Sequence, residues 1–464
     1  MIPKAECFVY PRAPTSFLVT QTVSSNPTKL PPAVGDKNIE PARGSERILA
    51  FNWLRQDFII ANFQVASGIR SLPPPQRDCR AGDPGPLAVR YFNPMAIPGF
   101  ATLEGTTRYR ARFKDSAAEN HFRQQQNLWL SSIGIGTYLG NPDTATDGRY
   151  RDAVVRAVQL GANVIDTAAN YRFQRSERSI GDALRVLTSE RGVSRDEIII
   201  CTKGGYLPFD GAPPRDIRRY VEETFVKRGI AGFEDIVGGS HCMTPTYLQN
   251  QLGQSLRNMN LACVDVYYIH NPESQLGHVS EEEFYARLQA AFESLEKSRA
   301  QEKLKFYGVA TWNGFRVPRE APGYHSLQRM VAVAREVGGE SHGFRFIQLP
   351  FNLAMPEALT LANQMVDSEQ MSLLEAAEAF GITVVSSASI FQGRVARGLP
   401  ENIRESMGSL PTDAEAAIQF VRSAPGITTA LVGMSSLEHV EENLHLAGVG
   451  PVKPEQFMKL FSTT

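Results

Sequence analysis

The sequence predicts a (β/α)8 TIM barrel with a long insertion after its third strand and a leader outside the barrel. Two observations predict it. From about Leu128 onward, short β-rich apolar runs alternate with amphipathic helical stretches, the pattern of repeated β-α units around a parallel sheet. The chemistry-bearing polar residues then follow directly on those runs, where a barrel keeps its functional loops. A doubly wound open sheet is the competing architecture, and no Gly-x-Gly-x-x-Gly follows the first strand to support it.

Eight strands are predicted, at Ile133–Thr137, Asn163–Thr167, Ile198–Thr202, Val264–Ile269, Tyr307–Ala310, Phe346–Leu349, Thr383–Ser387 and Thr429–Val432. Between them, apolar periodicity marks helices at Tyr150–Leu160, Tyr247–Asn258, Glu281–Arg299, Leu373–Phe380, Ala414–Ser423 and Leu437–Leu446. Thr244 with Pro245, and Thr412 with Glu415, are start signals for two of them. About 40 residues separate Lys203 from the helix near Tyr247, far beyond the usual ~2–6 of a β-α loop, so 206–243 reads as a substrate-facing insertion. Phe209, Tyr220, Phe225 and Phe233 are expected to pack over the barrel mouth. Pro208, Pro213, Pro214 and the Gly238-Gly239 pair would set its turns.

Ahead of the barrel the pattern changes. Residues 1–94 hold 13 of the 29 prolines and sustain no period, so they read as a disordered or non-native leader. Ile48–Val65 is its one apolar patch, a candidate short helix or hairpin too small to bury itself. Met95 resembles a second beginning, with 95–127 as an N-terminal extension and 128–464 as the barrel domain.

Composition narrows the function classes. Forty-eight basic and 49 acidic residues leave a formal net charge of -1, without the footprint of a nucleic-acid or membrane-surface binder. Five cysteines form no Cys-x-x-Cys pair, which argues against a disulfide framework or zinc ribbon and fits a reducing cytoplasm. No apolar run reaches the ~18 residues of a membrane span. His241-Cys242 invites a metal reading, but no second pair at ligand spacing accompanies it, so no metal is expected.

Asp166 and Tyr171 fall at or just after the end of the second predicted strand, Lys203 after the third and His270 after the fourth, and in a barrel such neighbours converge. Each alone has a bland explanation: a helix cap, packing, a solvated head, a wall residue. Together they form a constellation in which a lysine beside a tyrosine is expected to lower the phenol's pKa from ~10, while an aspartate orients the lysine.

Five motifs stand in order: Val-Ile-Asp-Thr-Ala-Ala-Asn-Tyr at 164–171, Ser-Glu-Arg-Ser-Ile-Gly at 176–181, Thr-Lys at 202–203, Val-Asp-Val-Tyr-Tyr-Ile-His at 264–270 and Gly-Met-Ser-Ser-Leu-Glu at 433–438. By these the stretch Leu128–Gly448 resembles the aldo-keto reductases. The resemblance implies reduction of an aldehyde or ketone by NADP(H), or NAD(H), with Asp166, Tyr171, Lys203 and His270 as catalytic residues and Tyr171 as proton donor. The same resemblance assigns the cofactor to Thr311, Gln348, Ser387, Gly393, Arg394, Gly433, Ser435, Ser436, Glu442 and Asn443. Several of these depart from the family pattern. Ala310-Thr311 stands for the usual Ser-Asn, Ser387 for the aromatic under the nicotinamide, Met434 and Val440 for common basic residues. Phe391 is a candidate to replace the lost stacking, and Arg394 and Arg397 to supply the lost charge. Trp312 and Trp129 are candidate substrate walls.

The leading expectation is a cytoplasmic reductase of small carbonyl compounds. A cofactor-binding regulatory barrel with little turnover is the alternative, and a lyase or isomerase using Lys203 as a Schiff-base amine a weaker third. Substrate identity and oligomeric state are left open by the sequence.

Overall fold

The structure is a computed structural model that describes residues 96–462. The expectations for residues 1–94, including Ile48–Val65 and a second start at Met95, lie outside the described residues.

A hairpin of β1 (Phe122–Gln125) and β2 (Leu128–Ser131) precedes the barrel. The barrel strands are β3 (Ile133–Gly136), β4 (Val164–Asp166), β5 (Ile199–Gly204), β6 (Val264–His270), β7 (Leu304–Ala310) and β8 (Phe344–Pro350). After a second hairpin, β9 (Ala362–Val366) and β10 (Glu369–Ser372), come β11 (Thr383–Ser387) and β12 (Ile427–Gly433). The eight close in the order β11-β12-β3-β4-β5-β6-β7-β8, all neighbours parallel. Each predicted strand is present, and β6, β7, β8 and β12 run further at one or both ends than their apolar runs indicated.

The principal helices are α1 (Leu103–Ala111), α2 (Thr144–Gln159), α3 (Arg175–Glu190), α4 (Pro245–Met259), α5 (Glu281–Ala300), α6 (Leu327–Gly338), α7 (Leu373–Ala379), α8 (Asp413–Ser423) and α9 (Leu437–Leu444). Thr412 and Glu415 close a reciprocal capping box on α8, as their spacing indicated. Thr244 precedes α4, but its hydroxyl does not cap the helix; Pro245 at the first position supplies the start.

Strand alternation divides the side chains in two. Ile165, Ile200, Tyr267, Val309 and Ile347 face the helices in the larger core. Val164, Ile199, Cys201, Val266, Tyr268, Phe346, Val385 and Leu431 fill the barrel interior, joined from below by Leu128, Leu130 and Ala101. The β1–β2 hairpin therefore closes the N-terminal end, tied by Asn163, whose Nδ2 donates to Trp129 O at 2.8 Å while its Oδ1 accepts from Ser131 N at 2.9 Å. It straddles position 128, where the sequence reading begins the barrel domain. Buried Asp265 adds a second tie, accepting from Ala101 N at 2.6 Å and from Arg195 Nη2 at 2.7 Å.

The insertion after β5 is a built loop. Its two ends pair through Leu207 N to Ser240 O and Cys242 N to Gly205 O, both 2.8 Å. Between them sit a short helix, Ile217–Val221, a wide turn, Glu222–Val226, and a 3₁₀ turn, Phe233–Asp235. Aromatic rings run from Phe173 through Phe209, Tyr220 and Phe225 to Tyr247. Phe233 departs from expectation: it stays 40% exposed beneath Arg218, because the 3₁₀ turn carries it outward.

At Gly308 of β7 an added β-carbon would overlap the Phe346 carbonyl oxygen of β8. Gly308→Ala is expected to cost about 1–3 kcal/mol through overpacking, read as a lower melting temperature. An unchanged melting temperature would mean that the two strands separate freely there.

Candidate active site at the barrel mouth

Inward parity at the C-terminal strand ends builds the site. Asp166 lies two residues beyond inward Val164, Lys203 two beyond Cys201, His270 two beyond Tyr268 and Gln348 two beyond Phe346, so all four point into the barrel. Lys203 Nζ donates to Asp166 Oδ2 at 2.5 Å and to Thr167 O at 2.8 Å. Gln348 Nε2 donates to the other carboxylate oxygen at 2.8 Å. The pair is nearly fully buried, so these bonds replace the hydration that both charges lose. Tyr171, half-buried in the turn after β4, lays its ring 4.8 Å from Lys203 Nζ and edge-on to His270 at 5.8 Å.

Electrostatics here are ruled by burial. Burial would lower the Lys203 pKa, but Asp166 and Tyr171 outweigh it and hold the ammonium above its ordinary value. A permanently charged, paired amine is unsuited to Schiff-base attack, which needs the free base. Burial raises the Asp166 carboxyl, opposed by Lys203 and by the Gln348 bond. For Tyr171 the lowering expected from Lys203 is present but outweighed. Burial raises the phenol above its ordinary value, and the Lys203 attraction that opposes it is offset in part by Asp166. Lys203 lies 4.8 Å from the ring centroid and divides its hydrogen bonding among Asp166, Thr167 and the phenol, so its pull on Tyr171 is outweighed by burial. The phenol consequently stays protonated at neutral pH.

His270 is neutral, pushed well below its ordinary pKa by burial and then by the Lys203 charge, and its Nδ1 has no hydrogen-bond partner among the described residues. His241 supports it from the insertion. Arg287 Nη1 donates to Gln275 Oε1, Gln275 Nε2 to His241 Nδ1, and His241 Nε2 to the His270 carbonyl, each 2.8 Å. His241 is thus a neutral structural link. Cys242 is buried, 3.4 Å from Thr244 Oγ1. Among the described residues no group of three or more His, Cys, Asp or Glu is arranged to hold a metal ion.

The residues assigned to the cofactor occupy the same rim. Thr311 follows β7 and Ser387 ends β11; Gly393 and Arg394 lie exposed in the loop after it. Phe391 is buried, with the Arg394 guanidinium 5.4 Å from its ring centroid. Gly433 ends β12, and Ser435 and Ser436 lead into α9, where the Ser436 hydroxyl accepts from His439 N at 3.3 Å. Glu442 is half-buried and Asn443 buried in that helix. Met434 and Val440 are fully buried in the core.

Two candidate walls separate. Trp312 stands after β7 at the mouth, its backbone N–H bonded to Glu273 Oε1 at 2.5 Å and its carbonyl to Arg316 Nη1 at 2.9 Å. Trp129 is in the hairpin at the opposite end, under Arg110 at 4.0 Å, and cannot be a substrate wall. Sequence reasoning missed Tyr138 and Tyr206, whose rings lie 5.0 Å from Tyr171 and 5.1 Å from His270. Their positions just past β3 and β5 were the available signal.

The structure is thus a closed (β/α)8 barrel with a buried Asp–Lys pair, a phenol and a neutral imidazole together at its C-terminal rim. Residues 132–398 match the family described as Aldo/keto reductase family, and the chain belongs to it. Uncharacterized oxidoreductase YqkF of Bacillus subtilis (strain 168) is 21% identical over 351 residues, spanning 73% of this chain and 94% of that protein. Among solved structures, the holo form of aldo-keto reductase AKR11C1 from Bacillus halodurans aligns with a TM-score of 0.51 at 17% identity, covering 74% of this chain and 97% of that one. An aldo/keto reductase from Klebsiella pneumoniae, in complex with NADP and acetate, aligns at 0.49 and 19% over 74% and 94%.

Burial lowers His241 to about 4; burial and then the Arg422 charge lower His121 to about 3. In the unfolded chain both titrate near 6.5. Below that pH the unfolded state binds protons that the folded state refuses, so stability present above about pH 6.5 is lost toward pH 4 and below. Melting temperature is expected to fall across that window, and less steeply in His241→Gln, which retains a donor without the titration. An equal slope in the variant would contradict this origin.

Proposed function

We propose that this chain reduces an aldehyde or ketone to its alcohol with NADP(H), Tyr171 delivering the proton to the carbonyl oxygen. The observation that carries the reading is the buried Asp166–Lys203 pair under Tyr171, with His270 beside it inside a closed barrel. Family membership supports it.

The residues present fit a dinucleotide. Thr311 Oγ1 and Asn443 Oδ1 are buried without a hydrogen-bond partner among the described residues, and both stand at positions assigned to the cofactor. Thr311 and Gln348 would hold the nicotinamide end; Ser435 and the backbone amides leading into α9 would hold phosphate, and Glu442 and Asn443 the adenosine. When bound, the cofactor supplies hydride to the carbonyl carbon.

The chain's own residues do the rest. A protonated Tyr171 donates to the oxygen as it gains charge, while His270, neutral and fixed through His241, orients that oxygen by hydrogen bonding. Lys203 stabilises the phenolate left behind, and Asp166 holds Lys203 charged. In this reading the substrate is a small carbonyl compound, with no nucleic-acid or membrane partner. Among the described residues no helix is long and apolar enough to cross a membrane. The buried, unpaired Cys201, Cys242 and Cys263 support a reducing, cytoplasmic setting.

NAD(H) is the second reading for the cofactor. Met434 and Val440 are buried apolar residues, so neither can meet a 2′-phosphate, whereas Glu438, Glu441 and Glu442 place acidic charge on α9.

Tyr171→Phe is expected to lower reductase turnover by ~10²–10⁴ while keeping cofactor affinity. Turnover close to wild type would remove Tyr171 from the proton-donor role. A wild-type protein that binds cofactor but turns over no member of a broad carbonyl panel would favour the regulatory alternative.

A further inference from the structure

We propose that Arg172 is a positioning residue for Tyr171, its buried guanidinium fixing the left-handed turn that sets the phenol at the barrel mouth. The proposal rests on Tyr171 acting as the proton donor.

Arg172, Phe173 and Gln174 have φ of 49°, 58° and 70°. Residues other than glycine adopt this conformation singly and at a cost, so three in succession persist only where the surroundings over-determine them. The first of the three follows Tyr171 directly. Glycine would occupy its backbone geometry without strain, yet the chain has an arginine there.

Every contact of that arginine leads to one place. Its side chain is 1% exposed. Nε donates to Asn141 O at 3.0 Å, and Nη2 donates to Asp143 O at 3.4 Å and pairs with Asp147. The guanidinium carbon lies 5.2 Å from the Tyr150 ring centroid. All four partners belong to the loop after β3 and the first two turns of α2.

That loop also carries Tyr138, whose ring packs edge-on 5.0 Å from Tyr171. One guanidinium therefore fixes both the backbone leaving Tyr171 and the segment bearing the ring against it. The rest of the turn is pinned from the insertion side: Gly211 N donates to Phe173 O at 3.0 Å, and Gln174 Nε2 donates to Phe209 O at 3.1 Å. On the β3 side Arg172 clamps the turn itself, while Arg175 and Ser176, at the start of α3, add Asp147 and Thr137 O as further ties.

The test is Arg172→Gly, which accepts the left-handed backbone while removing the guanidinium. A positioning role predicts a ten- to hundredfold fall in kcat, roughly what misplacement of a catalytic group by about 1 Å costs. Cofactor Kd should stay within about twofold of wild type. The solvent deuterium isotope effect on kcat should rise as proton donation becomes limiting, and Arg172→Lys, which keeps the charge, should recover part of the loss. A purely structural role would move neither the isotope effect nor kcat apart from cofactor affinity.

Wild-type kcat in Arg172→Gly, or a loss of kcat and cofactor affinity together with an unaltered isotope effect, overturns the proposal. Should Arg172→Gly fail to fold, Asp147→Asn removes the ionic half of the clamp and is read by the same criteria, with Arg175→Gln as the control for the second arginine that Asp147 pairs with. A loss in Asp147→Asn that Arg175→Gln reproduces in full overturns the proposal. Tyr171→Phe, measured alongside, separates the two ideas. If it is inactive while Arg172→Gly is fully active, only the clamp falls; if Tyr171→Phe is active, the proton-donor reading falls and takes the clamp with it.

Discussion

A lysine and an aspartate paired inside a closed barrel are the constraint on which the rest of this structure depends. Removing either partner would strand a buried charge, a loss of about 3–5 kcal/mol. The surroundings are built to prevent that. Gln348 reaches across from β8 to the second carboxylate oxygen, and the Thr167 carbonyl takes another ammonium proton. Because both side chains must point inward at their strand ends, the pair also fixes the register of β4 and β5, where Asp166 sits opposite Cys201, two residues before Lys203.

Function follows from what that pair does to its neighbours. Burial keeps His270 neutral, with the Lys203 charge adding to it, and at Tyr171 burial outweighs the attraction of that ammonium, so the mouth presents a protonated phenol and a neutral imidazole side by side. A protonated acid and an uncharged hydrogen-bonding partner are what a carbonyl oxygen requires as it becomes an alcohol. The insertion takes part as well, since His241 at its far end bonds the His270 backbone. A loop that the sequence marks as a substrate-facing excursion is also a brace for the site.

The strands were legible because a parallel barrel strand is an apolar run between turn signals, and the four central site residues because they stop those runs abruptly. Less legible were features set by three-dimensional sums. Helix α3 starts from Gln174 in a left-handed conformation with no side-chain cap, so no start signal announces it. Trp129 could be recognised as large and apolar, but not assigned to the closed end of the barrel until the hairpin was seen. The direction of the Tyr171 shift depends on burial exceeding the attraction of Lys203, and no local motif encodes that balance. Arg172 reads in sequence as one more surface charge, because burial of a guanidinium depends on partners about 25–30 residues away that only folding brings near.

The departures around the cofactor rim bear on the account most directly. Ser387 offers no flat partner to a nicotinamide ring, and Met434 offers no charge to a phosphate, whereas Thr311 and Asn443 keep unpaired polar atoms turned inward. The decisive measurement is a fluorescence titration of the purified protein with NADPH and NADH in parallel. The account predicts saturable binding of at least one at a single site, with the tighter of the two identifying the working cofactor. Binding of neither would mean that these departures have abolished the dinucleotide site, and would contradict carbonyl reduction despite the intact cluster of Asp166, Tyr171, Lys203 and His270.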